Sequence, residues 1–228
     1  MSLPFEIKIC GVKSERDVQA VARSQADAIG VNFHPASIRR IDPAVAIDLV
    51  RFATTLDLYS VGVFVDHSIA DILAMAERVD LDMIQLHGDT ALPIAMRLRR
   101  LSGLPVLRAI KLPTLAMNES TIDRLVMPWV DGGFKILVDA DGGAAHGGTG
   151  KTLHWESLAR WSSHRGVPFV LAGGITAANV ADAIGQSGAG AVDAASGTEQ
   201  PRGRKDAGRI DALASAAKLA LGKVADNA

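Results

Sequence analysis

The chain is poor in cysteine and in aromatic residues: its 228 residues include one cysteine, one tyrosine, three tryptophans and six phenylalanines. One cysteine can form neither an intramolecular disulfide nor a cysteine-ligated zinc site, so Cys10 is either a small buried side chain or a reactive thiol. Long apolar runs are also missing. No segment reaches the roughly 18 apolar residues of a membrane span, and Glu6 and Lys8 interrupt the stretch where a signal peptide needs an apolar core. We therefore expect a cytoplasmic protein with no membrane partner.

The chain also lacks an excess of charge of either sign. It carries 24 basic and 25 acidic residues, for a formal net charge of −1. Such a chain has no overall field that would attract nucleic acid or an anionic membrane. We therefore expect no nucleic-acid partner, and any anion that the protein binds must be held by local groups.

What the sequence does contain is a regular alternation of short β-branched apolar runs and amphipathic stretches. The runs predict eight strands, at Glu6–Cys10, Ala28–Phe33, Ser60–Val65, Met83–Leu86, Val106–Ile110, Lys135–Asp139, Phe169–Ala172 and Ala191–Asp193. The stretches predict eight helices, at Glu15–Ser24, Pro43–Ala53, Ile69–Val79, Thr90–Leu101, Ser120–Val126, Trp155–Ser163, Ala178–Gln186 and Lys205–Leu221. Parallel strands need helical crossovers, and eight such units close into a (β/α)8 barrel of about 250 residues. We predict an α/β fold, a single TIM-barrel domain over residues 1–228.

Polar residues that can cap a helix precede five of the predicted helices. They are Ser14, Asp42, Ser68, Asp89 and Thr176, each of which we expect to accept a hydrogen bond from the first turn. These capping signals support the number of strand and helix units.

A doubly wound open sheet is the alternative architecture. It would show fewer units, or a dinucleotide-binding fingerprint after the first strand, and the segment from Cys10 to Ser14 is no such fingerprint. In a closed barrel the loops that follow the strands form the active face, so residues at the ends of strands become functional candidates.

The glycine-rich segment 141–152 ends in Gly-Lys-Thr and superficially resembles a nucleotide-binding P-loop. The P-loop needs a glycine five positions before Gly150, and this chain has Ala145 there. A mobile loop hinged by glycine fits the segment better, and a loop without a role stays open as the alternative.

Two further glycine loops follow the seventh and eighth predicted strands. They contain Gly173-Gly174 and Ser196-Gly197. Barrels frequently bind phosphate between these two loops, where backbone N–H groups and a helix N-terminus converge on the anion. Glycines that merely permit tight turns would explain either loop alone, and their joint position favours a phosphate site.

Cys10 ends the first predicted strand and Asp139 ends the sixth, so both should face the mouth of the barrel from nearly opposite sides. Such a pair can act as base and acid on one small substrate. An ordinary thiol titrates near ~8.5, so a catalytic Cys10 needs cations nearby, for which Lys8 and Arg39 are candidates. The alternatives are an inert buried thiol and an aspartate that caps a helix.

Arg39 and His87 also follow strands. Arg39, after the second strand, could bind a carboxylate through two parallel hydrogen bonds, whereas an exposed surface arginine is the alternative and is the better description of Arg40. His87 ends the fourth strand before Gly88. Because no second ligand lies at metal spacing, we expect His87 to form hydrogen bonds and we predict no metal.

Taken in order, these motifs resemble the phosphoribosylanthranilate isomerase family of tryptophan biosynthesis, from residue 8 to about residue 206. The matching segments are Lys8-Ile9-Cys10-Gly11, 33–39, 61–65, Gln85-Leu86-His87-Gly88, Leu137-Val138-Asp139, 147–152, Gly173-Gly174-Ile175 with Asn179-Val180, and Val192-Asp193 leading to Ser196-Gly197.

The resemblance implies an Amadori rearrangement of N-(5-phosphoribosyl)anthranilate to the 1-deoxyribulose 5-phosphate derivative, without metal or organic cofactor. It implies that Cys10 is the general base at the sugar C2′ and that Asp139 is the general acid at the ring oxygen. It also implies that Arg39 contacts the anthranilate carboxylate and that the two glycine loops hold the phosphate. The expected substrate-binding residues are Ser37, Arg39, Gln85, His87, Gly173, Gly174, Asp193, Ser196 and Gly197.

The chain departs from the family pattern at several positions. Ala36 replaces a lysine, Ala172 replaces a serine, Ala195 replaces the first of two serines, and Arg16 replaces a glutamate. Each lost polar group that contacts the ligand would weaken binding by ~1 kcal/mol or more. Because the base and the acid are intact, we expect a working enzyme.

Two other functions remain open. A histidine-pathway or dual-pathway isomerase would carry aspartate at the position of Cys10 and bind two phosphates, so the sequence argues against it. A barrel that binds a phosphorylated ligand without turnover is favoured only by the alanine replacements. A small phosphorylated molecule is the expected partner in each case, and we expect a monomer or a homodimer.

Overall fold

The computed structural model describes residues 3–140 and 154–225, and within them eight parallel strands close into a barrel in sequence order. The strands are β1 (Ile7–Cys10), β2 (Ala28–Asn32), β3 (Tyr59–Val65), β4 (Met83–His87), β5 (Val106–Leu112), β6 (Lys135–Ala140), β7 (Phe169–Leu171) and β8 (Ala191–Ala194). The first and last strands pair, with Lys8 beside Asp193, and this pairing closes the sheet. The predicted (β/α)8 architecture is therefore confirmed.

A helix follows each strand and packs on the outside of the barrel. The helices are α1 (Glu15–Arg23), α2 (Pro43–Thr54), α3 (Ile69–Val79), α4 (Leu92–Ser102), α5 (Glu119–Asp131), α6 (Trp155–Arg165), α7 (Val180–Ser187) and α8 (Ala207–Ala225). No helix within the described ranges is long and apolar enough to cross a bilayer.

The strand residues divide between two apolar cores because successive side chains point to opposite faces of a sheet. Residues such as Ile7, Ile9 and Ile29 point outward and pack beneath the helices in the larger core. The inward residues fill the amino-terminal part of the barrel with a smaller core that includes Phe5 and Met83. Toward the carboxyl ends of the strands the inward residues become polar, and this change positions the site described below.

Three of the five predicted helix caps are present. Ser14, Asp42 and Ser68 each accept a backbone N–H bond from the first turn of α1, α2 and α3. The predictions for Asp89 and Thr176 are wrong. The N-cap of α4 is Ala91, and the backbone N–H of Asp89 donates instead to the Asp66 carboxylate of the preceding loop.

Two further differences concern helix ends. The N-cap of α7 is Asn179 and not Thr176. The Asn179 side chain accepts a hydrogen bond from the backbone N–H of Thr176, so Thr176 donates to the N-cap residue instead of capping the helix. Helix α5 continues through Pro128 to Asp131 instead of ending at Val126. The glycine-rich segment 141–152, for which a hinged loop is predicted, lies outside the described residues.

Candidate active site

A cavity of about 320 Å³ opens at the carboxyl ends of the strands; we call it the mouth cavity. Its walls combine inward-pointing strand residues with residues from the loops that follow β2, β7 and β8. The lining residues are Cys10, Asn32, His34, Ala36, Ser37, Ile38, Arg39, Val63, Val65, Gln85, His87, Lys111, Asp139, Ala172, Gly173, Gly174, Ile175, Asp193, Ala195, Ser196 and Arg202.

All the expected site residues except one line this cavity, including Cys10 and Asp139. The exception is Gly197, which lines a neighbouring depression that shares Gly174 and Ser196 with the mouth cavity. Two loops predicted to act together are thus adjacent in the structure.

Three polar side chains are buried around the floor of the mouth cavity. The ammonium of Lys8 is fully buried; it donates to Gln85 Oε1 at 2.5 Å and lies 3.1 Å from Asp193 Oδ2. The other carboxylate oxygen, Asp193 Oδ1, is buried and has no hydrogen-bond partner among the described residues. Because a buried acceptor without a partner is costly, Asp193 is a candidate to bind a donor group on a ligand.

Cys10 stands above Lys8 on the same inward face of β1, since the two residues are two positions apart. Its side chain is largely buried, and Gly30 of β2 allows the close approach: a Cβ at Gly30 would lie 2.9 Å from Cys10 Sγ. Burial raises the pKa of the Cys10 thiol, and the nearby charge of Lys8 opposes that rise without cancelling it, so the net pKa is raised. The structure therefore places a cation beside the predicted base, as base chemistry by a thiolate requires.

Arg39 belongs to a buried cluster of three charges. Its Nε and Nη2 donate to the two carboxylate oxygens of Glu199 at 2.5 and 2.8 Å, and Lys205 Nζ lies 3.4 Å from Glu199 Oε1. Burial is the largest single effect and would lower the pKa of Arg39, but the hydrogen bonds to Glu199 and the charges of Glu199, Cys10 and Asp193 together outweigh it, so the pKa is raised. Arg39 is therefore not a solvated surface arginine, whereas Arg40 is exposed.

The cluster of Arg39, Glu199 and Lys205 carries two positive charges and one negative charge. The cluster therefore has a net charge of one positive unit, largely buried beside the mouth cavity. Glu199 occupies the Nε and Nη2 side of the guanidinium, which leaves the Nη1 side for a second anion. The cluster is suited to a carboxylate ligand.

Asp139 lies on the opposite wall and is half-buried. In the parallel register of β5 and β6 it stands beside Lys111, so both side chains face the cavity from neighbouring strands. His87 ends β4 nearby, and the carbonyl of Gly88 behind it accepts a 2.8 Å hydrogen bond from Arg108 Nη2. This bond anchors the turn that follows His87.

The loops after β7 and β8 meet at close range. Gly173 and Gly174 both have positive φ, at 86° and 68°, a conformation that favours glycine. A Cβ at Gly197 would lie only 1.9 Å from the carbonyl oxygen of Ile175, so the second loop can pack here only without a side chain. Asn179 Nδ2 donates to the Gly174 carbonyl and holds the first loop against α7. The arrangement suits an anion bound by backbone N–H groups.

The three alanines that depart from the family pattern, Ala36, Ala172 and Ala195, all line the mouth cavity. Each therefore removes a polar group from the cavity wall itself. All three departures therefore lie at the cavity and not on a distant surface.

Sequence reasoning missed several lining or supporting residues. Asn32 and Lys111 could have been found from strand alternation, because Asn32 is the last residue of β2 and Lys111 the last inward residue of β5. Glu199 and Lys205 carry no local signal, since Glu199 meets Arg39 across 160 positions of sequence. Arg202, in the loop before α8, was also missed.

A closed eight-stranded barrel with an acid, a thiol and two glycine loops at the carboxyl ends of its strands defines a (β/α)8-barrel enzyme. Comparison with known proteins identifies which kind. The family model described as N-(5'-phosphoribosyl)anthranilate (PRA) isomerase matches residues 7–216. The chain belongs to this family.

Individual relatives agree with the family match. An N-(5'-phosphoribosyl)anthranilate isomerase of Paramagnetospirillum magneticum is 36% identical over 221 residues, which is 95% of this chain and 98% of the relative. The crystal structure of phosphoribosyl anthranilate isomerase from Thermotoga maritima is 31% identical, with a TM-score of 0.80 over 93% of this chain and 98% of that one. A crystal structure of this kind of isomerase in complex with reduced 1-(o-carboxyphenylamino)-1-deoxyribulose 5-phosphate is 29% identical, with a TM-score of 0.76 and the same coverage.

Proposed function

We propose that this chain catalyses the isomerisation of N-(5-phosphoribosyl)anthranilate to 1-(2-carboxyphenylamino)-1-deoxyribulose 5-phosphate, in tryptophan biosynthesis. The observation that carries the proposal is the position of Cys10 and Asp139 on the walls of one cavity, flanked by the two glycine loops. A cytoplasmic location and a single domain over the whole chain stay predictions.

The phosphate end of the substrate binds at the loops after β7 and β8. Backbone N–H groups of Gly173, Gly174, Ser196 and Gly197 are the donors there, so the chain needs no excess of positive charge. The replacement of family serines by Ala172 and Ala195 removes hydroxyl donors but leaves the backbone donors in place. We expect phosphate binding to persist with reduced affinity.

The anthranilate carboxylate binds at Arg39. The guanidinium is oriented by Glu199 and belongs to a cluster with one surplus positive charge, which an anionic carboxylate would neutralise. Ser37, on the same loop, lines the cavity beside it, and its hydroxyl accepts a 3.1 Å hydrogen bond from the Arg39 N–H. Phosphate and carboxylate at separate walls would hold the sugar between Cys10 and Asp139.

The reaction then needs one proton donor and one proton acceptor. Asp139, protonated, gives its proton to the furanose ring oxygen, the C1′–O bond breaks, and the anthranilate nitrogen forms an iminium with C1′. Cys10, as a thiolate, removes the C2′ proton, and the C–H electron pair neutralises the iminium to give the enolamine. Tautomerisation of the enolamine yields the ketone product. Gln85, His87 and Asp193 are positioned to bind the sugar hydroxyls or the amine between these groups.

The test is a turnover assay on the purified full chain that follows anthranilate fluorescence. Wild type should convert the substrate, whereas Cys10→Ala and Asp139→Asn should lose at least 100-fold in kcat, the range typical of general acid and base catalysis. Both variants should still bind the reduced product in calorimetry. Asp57→Asn is the matched control, because Asp57 is exposed on a loop before β3 and its positive φ of 56° also suits asparagine.

Three results would contradict the proposal. Full turnover by Cys10→Ala or by Cys10→Ser would exclude the thiolate as base. Binding of the reduced product by wild type without turnover would favour a barrel that only binds phosphorylated ligands. Rescue of a histidine-pathway auxotroph instead of a tryptophan-pathway auxotroph would favour the histidine-pathway isomerase.

A further inference from the structure

Lys8 occupies an unusual position for a lysine. Its side chain is fully buried inside the barrel, and its ammonium lies between Gln85 Oε1 at 2.5 Å and Asp193 Oδ2 at 3.1 Å. Lysine is almost never fully buried unless it is paired. Because a methionine or leucine here would fill the barrel at lower electrostatic cost, the ammonium calls for a chemical explanation.

The position of Lys8 in the strand supplies that explanation. Cys10 is the next inward residue on β1, one layer closer to the mouth cavity. Both acceptors of the ammonium, Gln85 and Asp193, also line that cavity. The ammonium of Lys8 is therefore held beneath the thiol, because the side chain is buried and its two acceptors fix its position.

Several other charges face Cys10 or share its cavity, and their effects differ in sign. Burial raises the pKa of Cys10; of the charges, Lys8 lowers it most, Asp193 raises it, and Lys205 and Arg39 lower it less. The titratable and charged groups that line the cavity with the thiol or act on its pKa are Lys8 on β1, His34 and Arg39 after β2, His87 on β4, Lys111 on β5, Asp139 on β6, Asp193 on β8, and Arg202 and Lys205 before α8. Glu199 pairs with both Arg39 and Lys205.

We propose that Lys8 is a positioning residue for Cys10: its ammonium, clamped by Gln85 and Asp193 under the mouth cavity, stabilises the thiolate that removes the C2′ proton. The use of the thiolate rests on the proposed function. The ionisation of Cys10 itself, in which the thiol proton passes to solvent, needs no substrate and can be measured alone.

The chain offers a direct assay because Cys10 is its only cysteine. The rate of alkylation by iodoacetamide, measured against pH by mass spectrometry, reports the thiolate fraction of this one residue. Asp193→Asn should lower the pKa of Cys10. Lys8→Met should raise it, with alkylation slowed by about tenfold for each unit of rise at pH values below both pKa values.

Lys8→Met alone leaves the Asp193 carboxylate buried without its partner, so this variant can fail to fold. The double variant Lys8→Met/Asp193→Asn removes both charges and keeps the side-chain volumes. Its comparison with Asp193→Asn isolates the charge of Lys8, and we expect at least threefold slower alkylation in the double variant at the same low pH. Lys218→Met is the matched control, since Lys218 pairs with Glu6 at 2.6 Å in a half-exposed position. It should leave the alkylation profile unchanged.

Equal pH profiles for Asp193→Asn and the double variant would overturn the inference, as they would mean that Lys8 has only a structural role. A shift in Lys218→Met as large as that in the double variant would overturn it too. Failure of the proposed function looks different: wild type would not turn over the substrate, while the order of the Cys10 pKa values could still hold. Turnover with no difference between the two profiles would leave the function intact and remove the role of Lys8.

Discussion

Adding a single methyl group at Gly197, by substitution with alanine, should disable the proposed phosphate site. A Cβ placed there would lie 1.9 Å from the carbonyl oxygen of Ile175, 3.0 Å from the Ile175 carbonyl carbon and 3.1 Å from the Thr176 Cα. All three atoms belong to backbone, which cannot rotate away as a side chain can. Because approaches under 3.0 Å do not occur for real Cβ atoms, the loops after β7 and β8 must separate by about 1 Å in Gly197→Ala.

A separation of that size has two measurable consequences. Overpacking of this kind costs about 1–3 kcal/mol in the free energy of unfolding. A displacement of about 1 Å in groups that position a substrate reduces activity by about 100-fold. Because the misplaced groups are the proposed phosphate donors and not the proposed acid or base, we expect most of the loss in KM.

The assay measures kcat and KM by anthranilate fluorescence and the free energy of unfolding by urea titration. Gly185→Ala is the control: it lies within α7, and a Cβ there would meet no atom within 4 Å. We expect this variant to gain about 0.5–1 kcal/mol of stability, since alanine is the better helix former, with unchanged kinetics. If Gly197→Ala keeps the wild-type KM and stability, the close contact of the two loops is not required and the reasoning is wrong.

The remaining predictions concern charge and a lost hydroxyl. Glu199→Gln should lower the free energy of unfolding by about 3 kcal/mol, because it breaks a buried pair with Arg39. Glu6→Gln breaks the half-exposed pair with Lys218 and should lower it by less than about 1 kcal/mol. Similar losses for the two variants in urea titrations would refute this. Burial raises the pKa of Glu199, but its hydrogen bonds to Arg39 and Gly203 and the charges of Lys205 and Arg39 together lower it more, so the net pKa is lowered. The stability from this carboxylate is therefore present above pH ~4.5 and is lost as the pH falls through the lowered pKa. If the difference in free energy of unfolding between wild type and Glu199→Gln grew on acidification, this prediction would be wrong. Ala195→Ser should restore a hydroxyl donor in the cavity wall and lower KM by about 2- to 10-fold, with little change in kcat. An unchanged or raised KM would show that residue 195 does not contact the ligand.

Much of the barrel is predictable because its signals are local. Apolar runs and amphipathic stretches alternate along the chain, and strand and helix ends follow to within a few residues. The exceptions have physical causes. Asp89 resembles a cap, but its N–H is held by Asp66 in the neighbouring loop, and α4 begins only at Leu92. Helix α5 runs on through Pro128, where tertiary packing outweighs the local preference of proline.

The candidate site divides in the same way. Strand alternation places residues two apart on the same face. The sequence by itself therefore determined that Cys10 and Asp139 are inward residues at the carboxyl ends of β1 and β6, within one residue of the strand end, and that glycine loops follow β7 and β8. It could not determine that Glu199 would bind Arg39 through two hydrogen bonds across 160 positions, or that Lys8 would lie between Gln85 and Asp193. Those contacts depend on closure of the barrel, which brings β1 beside β8 and the loop after β2 against the segment before α8. Local pattern records which face a residue occupies, whereas only the tertiary structure decides which distant charge it meets there.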